Sequence, residues 1–301
     1  MIDVGDAHAD EVVGNAEHAT LSREGTTFTA DTRILPPIAR RVNERILSTG
    51  KRLPKRRGMA VETRELAGSV VAITGATSGI GRATARALVA RGALVAVTGR
   101  RWDRLEELRE ELGDAHVLGV AGDARDPDLS RELVSQTLDR FGRIDSLVVS
   151  AGIGAYGGIL DGTDDDLTTM IETNFSATVW NVRAAVPHML ATGGDIVIVA
   201  SVAGLRGGAN EAVYAATKFA QIGLAGAVDR ELRTSGIRVT AICPAAVSTE
   251  FALGHGRTEG DPWLDDVLRP EDVAAAVVTV LEQPRRMRTT MWSMWAATEA
   301  S

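Results

Sequence analysis

From residue 66 onward, short apolar runs bounded by glycine, proline or polar residues alternate with longer amphipathic stretches. The runs fall at 70–74, 93–98, 115–121, 146–150, 195–200 and 238–243, with a further candidate at 290–295. Such short runs, apolar on successive positions, are the pattern of strands buried on both faces. The stretches between them, at 79–91, 101–112, 127–141, 164–190, 213–235 and 270–281, carry apolar residues at helical spacing. Strands alternating with helices of this length require crossover connections, which are right-handed. The predicted fold class is therefore α/β, a doubly wound parallel sheet in a single domain spanning 66–301, preceded by an N-terminal extension.

Residues 1–65 follow a different pattern. The first thirty or so are acidic, poor in large apolar residues and without a sustained period; residues 33–57 are basic, with Arg40, Arg41, Arg45, Lys51 and Arg52 against a lone Glu44. This composition predicts a disordered or weakly ordered arm. Two other readings stay open: a basic hook for an acidic partner, and a chain whose physiological start is Met59, since the residues after it lead straight into the first strand.

Composition narrows the function. A net charge of −7, with 45% hydrophobic and 24% charged residues, suits a globular protein and makes nucleic acid an improbable partner for its body. One cysteine, Cys243, excludes an internal disulfide framework, and with no clustered histidine beside it no metal site is expected. No apolar run is long enough to span a membrane, and the acidic start is wrong for a secretory signal, so the expected compartment is cytoplasmic.

The first strand runs into its helix through Gly75-Ala76-Thr77-Ser78-Gly79-Ile80-Gly81. A glycine-rich turn at a helix N-terminus exposes backbone N–H groups to an anion, with no side chain to block close approach. The bland alternative is a tight loop that needs positive φ. The second strand ends at Gly99-Arg100-Arg101. An acid at this place would accept from an adenosine ribose, whereas a guanidinium can pair a 2′-phosphate. The cofactor expected is NADP(H), with NAD(H) as second choice; the alternative is that both arginines simply start the next helix. Asp123, followed by Ala124, stands after the third strand, either facing an adenine edge or serving as an acid ahead of the helix at Pro127.

Tyr214 and Lys218 lie four apart on a predicted helix and share a face. A tyrosine titrates near 10, and a neighbouring ammonium favours its phenolate, so the pair predicts a group that exchanges a proton with a carbonyl or alcohol oxygen. Ser201, thirteen residues before Tyr214 and just past a predicted strand, could hold the same oxygen.

Together these residues carry a resemblance. Thr74-Gly75-x3-Gly79-Ile80-Gly81, Asp123, Ala151-Gly152, Asn174, Ser201, Tyr214-x3-Lys218 and Pro244 with Thr249 make residues 66–301 similar to the classical short-chain dehydrogenase/reductases. The resemblance implies a Rossmann-type sheet and NAD(P)-linked oxidoreduction of a carbonyl–alcohol pair. It implies Tyr214 as acid/base, Lys218 binding the nicotinamide ribose and tuning the tyrosine, Ser201 orienting the substrate oxygen, and Asn174 holding a water in a proton relay. Ser150, Ala151, Gly152, Pro244, Val247 and Thr249 would complete the cofactor contacts. Two departures stand out: Ser150 where the family usually has asparagine, and Ala245 where it has glycine, which would be strained only at positive φ. Residues 252–269 would form the substrate lid, with Trp263 and Leu264 as candidate walls and His255 as a solvated loop residue. A homodimer or homotetramer acting on a small carbonyl or alcohol is implied. Reduction of a carrier-bound 3-oxoacyl chain and a non-catalytic nucleotide-sensing or scaffolding role using the basic arm are the alternatives.

Overall fold

The computed structural model describes residues 11–15, 18–23, 26–31 and 62–299. The chain divides into two units, Met1–Val61 and Glu62–Ser301. In the first, β1 (Glu11–Asn15), β2 (His18–Arg23) and β3 (Thr26–Asp31) pair antiparallel in that order. The sequence reading finds no sustained period in this stretch. Its β-branched residues, Val12, Val13, Thr20, Thr26, Thr27 and Thr29, lend strand propensity in runs too short to register as a pattern. The basic stretch 33–57 and Met59 lie outside the described residues.

In the second unit β4 (Val70–Thr74), α1 (Gly79–Val89), β5 (Leu94–Gly99), α2 (Trp102–Leu112), β6 (Val117–Ala121) and α3 (Pro127–Phe141) form the first half. The second half comprises β7 (Ser146–Val149), α4 (Asp164–Ile171), α5 (Ala177–Ala185), β8 (Gly194–Val199), α6 (Ala212–Leu232), β9 (Ile237–Pro244), α7 (Pro270–Glu282) and β10 (Met291–Met294). The seven strands are all parallel, in the order β10-β9-β8-β7-β4-β5-β6. This is the doubly wound Rossmann-type sheet that the strand–helix alternation predicts.

Successive strand side chains point to opposite faces. Val71, Ile73, Val95, Val97, Val148 and Val197 therefore pack with Leu88, Leu105, Leu108 and Val277 on one side. Ala72, Ala96, Leu147, Ile196 and Ile198 pack with Leu133, Val182, Ala225 and Val228 on the other. Every residue of β4, β7, β8 and β9 is buried, which explains why these strands read as mostly apolar runs without alternation, with Asp195 and Arg238 the buried charges near their starts.

One predicted element is corrected. The single helix expected over 164–190 is interrupted by a π turn at Glu172–Ser176 and ends in a 3-10 turn at Val186–His188. α4 begins on a capping box, Thr163 with Asp166. The helical period continues through the π turn, so hydrophobic spacing alone does not reveal it. Its central residue is Asn174.

Candidate active site

The chain leaves β4 in one direction across the sheet and β7 in the other, so a crevice opens outside the carboxyl ends of these neighbouring strands. The site residues singled out in the sequence cluster at that edge. Gly75–Gly81 follow β4, Arg100 and Arg101 follow β5, and Asp123 and Ala124 follow β6. Ser150–Gly152 follow β7, Ser201 follows β8, and Val247 and Thr249 follow β9, which ends at Pro244.

Gly75 has φ +71°, and a Cβ there would meet Ala151 Cα at 2.7 Å. At Gly81 a Cβ would stand 2.4 Å from the Gly75 carbonyl oxygen. Both glycines are therefore demanded by the close approach of the β4 and β7 loops and by the turn itself. Ser78 precedes α1 without capping it through its side chain, and the helix has no acid in its first turn. Its leading N–H groups and positive dipole end are thus left for an anion. Thr249 reaches over this turn, its Cγ2 3.1 Å from where a Gly79 Cβ would be.

A Cβ on Gly99 would lie 2.3 Å from Thr77 Cγ2, so an acid at the end of β5 has no room. Arg101 Nη2 donates to Thr77 Oγ1 at 3.1 Å, and Arg101 Nη1 donates to Glu250 at 2.9 Å. Arg104 reaches the same carboxylate, and the two guanidiniums hold Glu250 below the usual carboxylate range. Asp123 is tied to Arg125, whose guanidinium and backbone N–H both donate to it and hold its carboxyl low, with Arg100 adding to the effect.

Thr74 Oγ1 accepts from the backbone N–H groups of Ser150 and Ala151, each at 3.1 Å. The turn is thereby anchored through its backbone at the place where serine replaces an asparagine. Asn174 is fully buried. Its Oδ1 accepts from Ile153 N at 2.8 Å, and its Nδ2 donates to Ile153 O at 2.9 Å and Thr217 Oγ1 at 3.1 Å. It clamps the strand exit to α6. Among the described residues only Asn210 and Ala252 are non-glycines at positive φ, so Ala245 carries no backbone strain.

Ser201 Oγ accepts from Ala203 N at 3.1 Å and donates to the Pro244 carbonyl at 3.4 Å. Burial is the main cause that pushes the Tyr214 phenol well above its ordinary value, and the adjacent Ser201 hydroxyl pulls it partly back. Lys218 Nζ lies 5.6 Å from the centre of the Tyr214 ring and donates to the Val199 carbonyl and to Gln221 Oε1. Burial brings its ammonium down to about 8. The lysine thus stands beside the tyrosine, as the four-residue spacing predicts, but the phenol is raised rather than lowered: burial dominates, and the groups that pull it down are Ser201 and Arg257.

Tyr214 is only 6% exposed because aromatic side chains roof it. The rings of Tyr156 and Phe251 sit 6.0 and 5.7 Å from its own. Arg257 stacks on Phe251 and on Trp263 and donates to the Val247 carbonyl. Tyr156 N donates to His255 O, and a Cβ on Gly256 would meet Tyr156 Cβ at 2.6 Å, so the two loops are pressed together. The His255 side chain is exposed. Trp263 acts on the roof through Arg257. Tyr156, Phe251, Arg257, Glu250 and Gln221 are the members of this site that the sequence reading did not single out. Loop aromatics and an interior glutamine carry no spacing signal; only Glu250 and Phe251, one and two residues after Thr249, stood next to a recognised position.

A family model described as short chain dehydrogenase matches residues 69–259. An uncharacterized oxidoreductase of Staphylococcus saprophyticus is 34% identical over 225 residues, covering 73% of this chain and 94% of its own. Among solved structures, an alcohol dehydrogenase from the archaeon Thermococcus sibiricus complexed with 5-hydroxy-NADP matches with a TM-score of 0.71 and 28% identity, over 77% of this chain and 98% of that one. A closed form of serine dehydrogenase complexed with NADP+ matches with a TM-score of 0.71 and 32% identity, over 77% and 96%. Among the described residues no helix is long and apolar enough to cross a membrane.

Proposed function

The chain belongs to the short-chain dehydrogenase family, and from that premise we propose that it is an NADP(H)-linked oxidoreductase interconverting a small carbonyl compound and its secondary alcohol, with Tyr214 as general acid/base. The observation that carries this reading is the convergence of Ser201, Tyr214 and Lys218 at the carboxyl edge of the sheet, beside the crevice between β4 and β7.

The residues present fit a dinucleotide. Gly75, Thr77, Ser78, Gly79, Ile80 and Gly81 would hold its pyrophosphate on the uncapped end of α1. Arg100 and Arg101 would take a 2′-phosphate, with no acid at position 99 to repel it, and Asp123 with Ala124 the adenine. Ser150, Ala151, Gly152, Pro244, Val247, Thr249 and Lys218 would line the nicotinamide end. The NADP-bound relatives support this preference over NAD(H). When bound, the cofactor supplies or accepts the hydride.

The chain's own residues supply orientation and the proton. Burial keeps the Tyr214 phenol protonated at neutral pH, the form that donates to a carbonyl oxygen. Ser201 Oγ would hold the same oxygen against it, and Lys218 would keep a positive charge beneath the ring. The roof of Tyr156 and Phe251 excludes water and favours small, apolar substrates.

We also assign a second copy of the chain to the apolar groove of about 460 Å³ formed by Ile159, Ile171, Phe175, Val213 and Ala216 on α4, α6 and their flanking residues. Exposed Ile171 and Phe219 extend this face, which suits the isologous contact of a homodimer or homotetramer. A single buried thiol suits a reducing, cytoplasmic setting.

The test is a panel of small ketones, aldehydes and 3-oxoacyl compounds followed by loss of NADPH absorbance, repeated with NADH. Turnover of one or more with NADPH in preference to NADH is expected. Tight NADPH binding without turnover of any carbonyl would favour a non-catalytic, nucleotide-sensing role instead.

A further inference from the structure

Lys218 Nζ has three protons to donate. One goes to the Val199 carbonyl at 3.2 Å and one to Gln221 Oε1 at 2.9 Å. Gln221 lies one turn further along α6 and has no exposed surface. The other end of its carboxamide donates from Nε2 to the Asn174 carbonyl and to Thr178 Oγ1, each at 2.8 Å. This orientation is chemically determined. Turned over, the amide would aim its NH2 at an ammonium and its oxygen at a carbonyl, two repulsive contacts in a dry interior.

The Asn174 carbonyl also accepts from Thr178 Oγ1 at 2.6 Å. It thus has two side-chain donors, one for each lone pair. A water between this carbonyl and the lysine, as the family resemblance implies, would have to take the place that the Gln221 amide fills. An amide transmits polarity through such a bridge but gives up no proton near neutral pH.

We propose that Gln221 is a positioning residue of the acid/base site: its carboxamide bridges the Lys218 ammonium to the Asn174 carbonyl in place of a water, and holds Lys218 charged beneath Tyr214. The role assigned to the pair rests on the oxidoreductase reading, whereas the bridge itself does not. The titratable groups that face the lysine from other directions are Tyr214 on α6 and the Cys243 thiol on β9, while Glu211, just before α6, and Arg257 in the roof act on the Tyr214 phenol. Burial pushes the thiol up to about 11, so it is uncharged at neutral pH. Gln221 is therefore the side-chain acceptor that favours the ammonium.

The chain has three lysines, Lys51, Lys55 and Lys218, so 15N-lysine labelling of the full protein gives a readable side-chain titration of Lys218 by NMR. Wild type is expected to titrate near 8. Gln221→Met keeps length and removes the acceptor, and should lower that midpoint by about one pH unit; Gln221→Glu places a carboxylate there and should raise it by about as much. A carboxylate raises the midpoint whatever the glutamine does, so Gln221→Met decides: a residue that merely fills space would leave its midpoint at that of wild type, and an unshifted midpoint would overturn the proposal. Activity is read separately. A lowered Gln221→Met midpoint in a protein that turns over no carbonyl would leave the bridge standing and remove the enzymatic reading. Normal turnover with an unshifted Gln221→Met midpoint would do the reverse.

Discussion

Glu250 accepts from Arg101 at 2.9 Å while Arg101 also holds Thr77 of the glycine turn. The carboxylate after β9 thus neutralises a guanidinium assigned to a 2′-phosphate. Both side chains are substantially exposed, 40% and 47%, so this ion pair is weak, on the order of 0–1 kcal/mol, and a phosphate can displace it. Arg101→Ala is expected to raise KM for NADPH roughly 10- to 100-fold with little effect on NADH, the loss of one charge-assisted hydrogen bond or a bidentate pair. Glu250→Gln should lower KM for NADPH, because the competitor is removed. Equal effects on the two nucleotides would place the phosphate elsewhere.

Tyr214→Phe removes the proton donor and leaves the ring between Tyr156 and Phe251. A fall in kcat of at least about 10²- to 10⁴-fold is expected, with NADPH binding by fluorescence near that of wild type. Retained turnover would remove Tyr214 from the mechanism.

The pH profile follows from Lys218. Its value is depressed from 10.5 to about 8, so its charge is present below that pH and lost above it, while the Tyr214 phenol keeps its proton to higher pH. Carbonyl reduction should be level through neutrality and decline with loss of one proton near pH 8. A decline that begins only above pH 10 would mean that the lysine charge does not matter.

The roof governs access. Phe251→Ala deletes a ring 5.7 Å from that of Tyr214 and leaves Arg257 with only Trp263 to stack on. Bulky ketones should gain in kcat/KM relative to small ones. An unchanged ranking across a ketone series would assign the size limit to other residues.

At the opposite edge of the sheet, Asp195 accepts from Arg238 at 2.6 Å and from Arg64 at 2.8 Å, with Asp195 and Arg238 both buried. Asp195→Ala strands the Arg238 guanidinium and should destabilise the fold by about 3–5 kcal/mol in urea unfolding. Below its melting temperature the variant should keep its KM values, because these residues start their strands and Ser201 follows the end of one.

Much of this arrangement is written locally. The strands β4, β7, β8 and β9 announce themselves as apolar runs because both faces are covered, and the glycine turn shows because close approach admits no side chain. Tyr214 and Lys218 are paired by helical spacing alone. Other features depend on partners distant along the chain. The π turn around Asn174 keeps a helical hydrophobic period, and Gln221 meets the Asn174 carbonyl from 47 residues away. The high phenol value arises from burial beneath Phe251 and Tyr156, residues whose aromatic character carries no address. Periodicity and backbone sterics act between near neighbours and so leave a trace in the order of residues. Desolvation and long-range hydrogen bonds exist only once the sheet has brought the loops to one edge.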